Sequence, residues 1–193
     1  ALTRLAHAGQ IIRIDEEIER DMFYLAKQKL EHAGYEQYEI SNYALPQKRS
    51  LHNQKYWDFS PFLSLGPSAH SFDGTQRWWN VADLGEYVKR LNADQTPIEA
   101  GEQITKTSKL EEMILVGLRR REGIDLHVWK TTAGFDLLER AEHAMHLHGG
   151  IDNVPPFAPS EALITCSQHT LALTETGLIL YDTVCQIFFD LIF

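Results

Sequence analysis

Apolar and polar positions along this chain recur with two periods, and the switches between them mark out its elements. From Asp15 to Ala33, Ile18, Met22, Leu25, Ala26, Leu30 and Ala33 fall at helical spacing, with Asp15 as cap and Gly34 as stop. This predicts an amphipathic helix with one buried face. Tyr35 to Ala44 then alternates ring-bearing or aliphatic residues with polar ones, as a half-buried strand does. Leu45-Pro46 ends that strand, and a polar loop from Gln47 to Ser50 carries Lys48 and Arg49. Phe62 to Phe72 reads as a second strand interrupted by Gly66-Pro67, which suggests a bulge or a close backbone approach. Asp73-Gly74 turns the chain into Gln76 to Asn80, a hairpin signal. Leu84, Tyr87, Val88 and Leu91 predict a short helix, and Asn92 to Glu102 a linker. A domain boundary is expected between residues 104 and 105.

The second part opens on Ser108-Lys109-Leu110-Glu111, the pattern of a capping box. Leu110, Met113, Ile114, Gly117 and Leu118 line one helical face, which Gly123 should close. A short helix is expected from Leu126 through Trp129 and a longer one from Phe135 to Leu147. Ala162 to Thr165 and Thr170 to Leu173 predict a two-stranded wing, followed by one final helix from about Thr174 to the end. Helices plus a wing spell a small winged-helix-like module.

With 193 residues, 44% of them hydrophobic, the chain can bury one good core or two small ones. A formal charge of −9 works against a nucleic-acid partner, which needs a basic face to displace counterions. The winged module follows suit: it carries seven Lys/Arg against twelve Asp/Glu, a balance that suits a packing lid better than a DNA reader. No apolar run approaches the length of a membrane span, and no signal-peptide pattern is present. Two cysteines, Cys166 and Cys185, give neither a disulfide framework nor a cluster motif, which fits a reducing cytoplasm. A start on Ala-Leu-Thr suggests a fragment or a processed chain.

The densest chemistry lies in His52-Asn53-Gln54-Lys55-Tyr56-Trp57 and in Gly66-Pro67-Ser68-Ala69-His70-Ser71. Imidazole is a common haem-iron ligand, and a porphyrin also wants aromatic walls and cations for its propionates. His52, Tyr56 with Trp57, and Lys48 with Arg49 could supply those needs. On residue types alone the alternative stays open that His52-Asn53 ties down a loop while Tyr56 and Trp57 pack as core. The Gly66 turn likewise either bends a strand or lets a planar ligand lie against the backbone near His70. His143, His146 and His148 lack a companion carboxylate pattern and read as surface histidines.

Tyr38-Glu39-Ile40-Ser41-Asn42-Tyr43-Ala44, then His52-Asn53-x-x-Tyr56-Trp57, then Leu65 to Gly74, then Gly117-Leu118-Arg119 with Glu122-Gly123-Ile124, resemble the HemW-like haem chaperones. These are relatives of oxygen-independent coproporphyrinogen III oxidase among radical S-adenosylmethionine proteins. The resemblance covers roughly Ile12 to Arg140 and Leu171 to Phe193, whereas residues 143–169 depart from it. It implies an α/β fold: the closing units of a partial (β/α) barrel over residues 1–104, then a winged-helix-like domain over 105–193. It further implies haem binding by His52, Asn53, Tyr56 and Trp57, and places Ala44 and His70 near bound S-adenosylmethionine. The family's [4Fe-4S] cluster sits on a CxxxCxxC loop that this sequence does not contain, so the chain alone is not expected to be catalytic. The implied role is to bind haem and deliver it to a haem-requiring acceptor such as a respiratory enzyme, with a homodimer possible. Two further readings are part of a coproporphyrinogen III oxidase, and a non-catalytic protein-interaction module.

Overall fold

The computed structural model describes residues 4–5, 8–9, 14–141 and 163–193, and the chain divides into two compact units, 1–49 and 50–193. The first unit is built on α1 (Glu16–His32), capped by the Asp15 carboxylate, which accepts the Glu17 N–H at 2.9 Å. Glu16, Glu17 and Glu19 face the positive end of the helix dipole, and Lys29 and His32 the negative end. Gly34, at φ 85°, stops it in a left-handed turn in which Tyr35 N–H reaches back to the Leu30 carbonyl at 3.0 Å. The expected apolar stripe forms, but it is not buried: Ile18, Met22 and Leu25 are each more than half exposed.

The alternating stretch after Gly34 is not one strand. It is a hairpin of β1 (Glu36–Glu39) and β2 (Asn42–Ala44), paired antiparallel with Glu36 opposite Ala44. Glu39 makes the turn, because its buried carboxylate accepts the Ser41 N–H at 3.0 Å and the Asn42 side-chain amide at 2.6 Å. Alternation runs on through a turn that contains neither glycine nor proline, so the pattern hides it.

The second unit begins with α2 (Leu51–Trp57). The stretch from Phe62 to Phe72 folds back on itself rather than extending, with Phe62 bridging antiparallel to Phe72. Only its end is a strand, β3 (His70–Phe72), which pairs through the Asp73-Gly74 turn with β4 (Gln76–Asn80). After α3 (Leu84–Asn92), the expected linker proves to be an edge strand, β5 (Ile98–Gln103), every residue of which is exposed. Two-sided exposure leaves no hydrophobic alternation to read. The division expected between residues 104 and 105 falls between β5 and the next helix, and remains a proposal about domain organisation.

That helix, α4 (Lys106–Arg119), starts earlier than the expected capping box: Thr105 is the cap, accepting the Ser108 N–H at 3.0 Å. Its buried face is the one the spacing predicts, Leu110, Met113, Ile114, Gly117 and Leu118. Around it pack α5 (Leu126–Ala133) and the wing, and a further helical segment follows at residues 137–141. The wing has three strands rather than two: β6 (Ile124–Asp125) joins β7 (Ile164–Cys166) and β8 (Thr170–Leu173) in the order β6-β8-β7. Gly123, at φ 77°, lies so close to the Leu171 carbonyl that a side chain there would collide with it.

The final helix is broken at Leu180 into α6 (Glu175–Ile179) and α7 (Tyr181–Ile192). Trp129, Ile114, Leu118, Leu171, Val184 and Phe188 have no exposed surface and form the core of the unit. The remainder of the helix expected from Phe135 to Leu147, the histidines at 143, 146 and 148, and Ala162 lie outside the described residues. Among the described residues, no helix is long and apolar enough to cross a membrane.

Candidate functional site: two grooves sharing one aromatic wall

Ser50 starts α2 by accepting the Asn53 N–H on its hydroxyl at 3.2 Å. A seven-residue helix places positions 52 and 56 on one face, one turn apart. There the Tyr56 hydroxyl meets His52 Nε2 at 2.9 Å, with the two rings edge to face at 4.9 Å. Both residues are exposed. Tyr56 continues into Phe62, 4.3 Å between ring centroids, and Phe62 into Phe72 at 6.1 Å. Aromatic contacts thus run from the exposed imidazole down to a buried phenylalanine.

Tyr56, Phe59, Phe62, His70 and Arg77 are among the walls of a groove of about 420 Å³. His70 is exposed and stacks on its cross-strand partner Trp79, centroids 5.5 Å apart. Arg77 is not an available cation. The Glu112 carboxylate takes two hydrogen bonds from it, at 2.9 and 2.7 Å, and Glu102 a third at 3.3 Å. The hydrogen bonding with Glu112 raises the pKa of the guanidinium above its ordinary value, against the opposing effect of partial burial.

Trp57 lies on a second groove, of about 430 Å³, with Lys109, Met113, Arg120, Ile124 and Val128. Phe59 and Val116 belong to both grooves. Phe59 holds an unusual place. The Ser60 N–H returns to the Lys55 carbonyl at 3.1 Å, closing α2 with a left-handed residue at position 59, φ 56°. Glycine normally fills that position, and a bulky side chain in this conformation costs about 1–2 kcal/mol. Lys109 Nζ lies 5.6 Å from the centre of the Phe59 ring.

The structure therefore joins His52 to Tyr56, and Tyr56 to His70 through one groove, and gives Trp57 to the other. His52 and Asn53 line neither of these two grooves. Asn53 is half-buried, its N–H engaged by Ser50. Ala44 is buried at the end of β2 in the first unit. Arg49 belongs to that unit too, its guanidinium over the Tyr38 ring at 5.3 Å. Gly66, at φ 110°, is held through its backbone by the Tyr87 hydroxyl and the Asn80 amide, each at 3.0 Å, which favours a turn-forming role. Phe59, Lys109 and Arg120 escaped the reading of the sequence. The one signal for the first was a phenylalanine just past a helix end where glycine is usual.

Among the described residues, an iron-sulfur cluster finds no donor set. Cys166 is exposed on the wing and Cys185 buried on α7, and among the described residues no group of three or more His, Cys, Asp or Glu side chains is placed to hold a metal.

No family model matches the chain. It is 29% identical over 186 residues to "Heme chaperone HemW" of Mycobacterium tuberculosis, covering 96% of this chain and 43% of that protein. To the protein of the same name in Bacillus subtilis it is 28% identical, covering 93% and 45%. With the mitochondrial "Radical S-adenosyl methionine domain-containing protein 1" of Danio rerio it shares 25% identity over 95% of its length. The chain spans less than half the length of these relatives. In solved structures, it superposes on Escherichia coli coproporphyrinogen III oxidase (HemN), a radical SAM enzyme, with a TM-score of 0.68 at 15% identity, over 97% of this chain and 45% of that one. That likeness gives the fold: mixed α/β, built from small sheets and helices.

Proposed function

On the premise that the chain belongs with the HemW-like and oxygen-independent coproporphyrinogen III oxidase-like radical S-adenosylmethionine proteins, we propose that it is the haem-holding portion of a haem chaperone. It binds haem and passes it to a haem-requiring acceptor, such as a respiratory enzyme, in the cytoplasm. The observation that carries this reading is the exposed His52 imidazole, clasped by Tyr56 at the head of an aromatic run into a groove.

The residues present fit a haem. An imidazole nitrogen is the right donor for its iron, and Tyr56, Phe59 and Phe62 offer aromatic groups for a macrocycle to pack against. The bound haem is cargo to be handed on rather than a reagent. His52 supplies the ligand, and Tyr56 holds the ring in one orientation through a hydrogen bond that gives way when iron takes Nε2. Ala44 and His70 lie in different units, and no step is drawn through S-adenosylmethionine or an iron-sulfur cluster.

The test is transfer. The chain, loaded with one equivalent of haem, is mixed with an apo-haem protein, and the acceptor's absorption spectrum is followed. Growth of the acceptor's holo spectrum is expected; a chain that never takes up haem, or never releases it, overturns the reading.

A further inference from the structure

We infer that Arg77, with its partners Glu102 and Glu112, is the specificity element of the Tyr56 groove: it closes the groove to carboxylates, so that a tetrapyrrole enters by the half that carries none. This rests on the haem reading and adds to it the ground of choice between tetrapyrroles. Haem carries propionates on two of its four rings. Coproporphyrin carries one on each, so whichever rings it leads with bring carboxylates along.

The walls of the groove set the first condition. Tyr56, Phe59, Phe62, Phe72, Leu115 and Val116 offer ring and aliphatic surface, which favours an apolar edge and gives an ionised one nothing in exchange for its water. The cation sets the second. Among the described residues that line the groove, Arg77 is the one lysine or arginine, and it is already committed: Glu112 takes two hydrogen bonds from it, at 2.9 and 2.7 Å, and Glu102 a third at 3.3 Å. Two carboxylates on one guanidinium leave a surplus of negative charge at that wall, so an arriving carboxylate is repelled as well as unpaired. The cluster is also hard to open. Arg77 comes from β4, Glu112 from α4 and Glu102 from β5, and the guanidinium lies 6.0 Å from the centre of the Phe72 ring. The Arg77 and Glu112 side chains are each only 27% exposed, so diverting Arg77 to a ligand would strand a largely buried carboxylate on α4.

The test uses metal-free porphyrins, which leave iron ligation by His52 out of the measurement. Protoporphyrin IX, with the same peripheral groups as haem, and coproporphyrin III are titrated by fluorescence into the unaltered chain, Glu102→Gln and Glu102→Gln/Glu112→Gln. The pH is held at 8, where carboxylates are ionised and ordinary imidazoles uncharged. The unaltered chain should prefer protoporphyrin roughly ten- to a hundred-fold, the range for charged groups deprived of their partners. The double substitution frees Arg77 and should narrow that gap by tightening coproporphyrin. Glu102→Gln alone, which keeps the Glu112 pair and its support of the fold, should narrow it less. Equal affinities in the unaltered chain, or a gap that neither substitution narrows, overturn the assignment. A chain that binds neither porphyrin overturns it too, while the haem reading is judged separately, by uptake of haem and its transfer to an apo-haem protein.

Discussion

Two helices of the second unit, α2 and α4, show how differently one chain can use the same secondary structure. α4 has fourteen residues, five of them buried against the wing, α5 and α7. α2 has seven, none buried, and is followed two residues on by a phenylalanine in the left-handed conformation. The first is held by packing and serves stability. The second is held by Ser50 at one end and a left-handed closure at the other, and it displays polar and aromatic groups instead of burying them. Binding groups gather where the fold invests least in burial, because a side chain committed to the core cannot also meet a ligand.

The sharpest break of this contrast is in the core. Phe188→Ala removes a fully buried side chain and should cost about 3–5 kcal/mol in chemical denaturation, while haem affinity at the intact fold stays unchanged. A loss below about 1 kcal/mol would mean that the core is not where the stability resides. A smaller effect is expected at the shared wall. Phe59→Gly trades apolar contact for relief of the left-handed backbone, so thermal unfolding should stay within about 1 kcal/mol of the unaltered chain while haem binding weakens. A large loss of stability with unchanged binding would move Phe59 from the site to the scaffold.

The smallest effect is in acid. The Asp73 carboxyl lies below its ordinary value of 3.8 chiefly because it accepts the Gln76 N–H, and then through its bonds with Thr75. Its contribution to the β3–β4 turn is therefore complete above that ordinary value and is lost as pH falls through the depressed one. Asp73→Asn should flatten this part of the acid unfolding curve slightly; a curve of unchanged shape would remove the turn from the account.

The same contrast explains what the sequence could show. Elements with strong end signals or a covered face were legible: α1 from Asp15 and Gly34, the buried face of α4 from its spacing, the β3–β4 hairpin from Asp73-Gly74. Where tertiary contact decides, the pattern misled. The Glu39 turn is made by a side chain rather than a turn residue, β5 carries no alternation because both its faces are exposed, and β6 is a two-residue strand recruited by β8. For the site, the His52–Tyr56 pair could be read from spacing because residues four apart meet on any helix. The separation of Tyr56 and Trp57 into two grooves could not, since it depends on where α4 and the Lys109 side chain lie.

The role of the His52 imidazole as the group that takes haem iron is tested by titrating haem into the unaltered chain and into His52→Ala while following the Soret band. One saturable equivalent with a shifted band is expected for the first, and a weaker, unshifted association for the second. Identical titrations would contradict it.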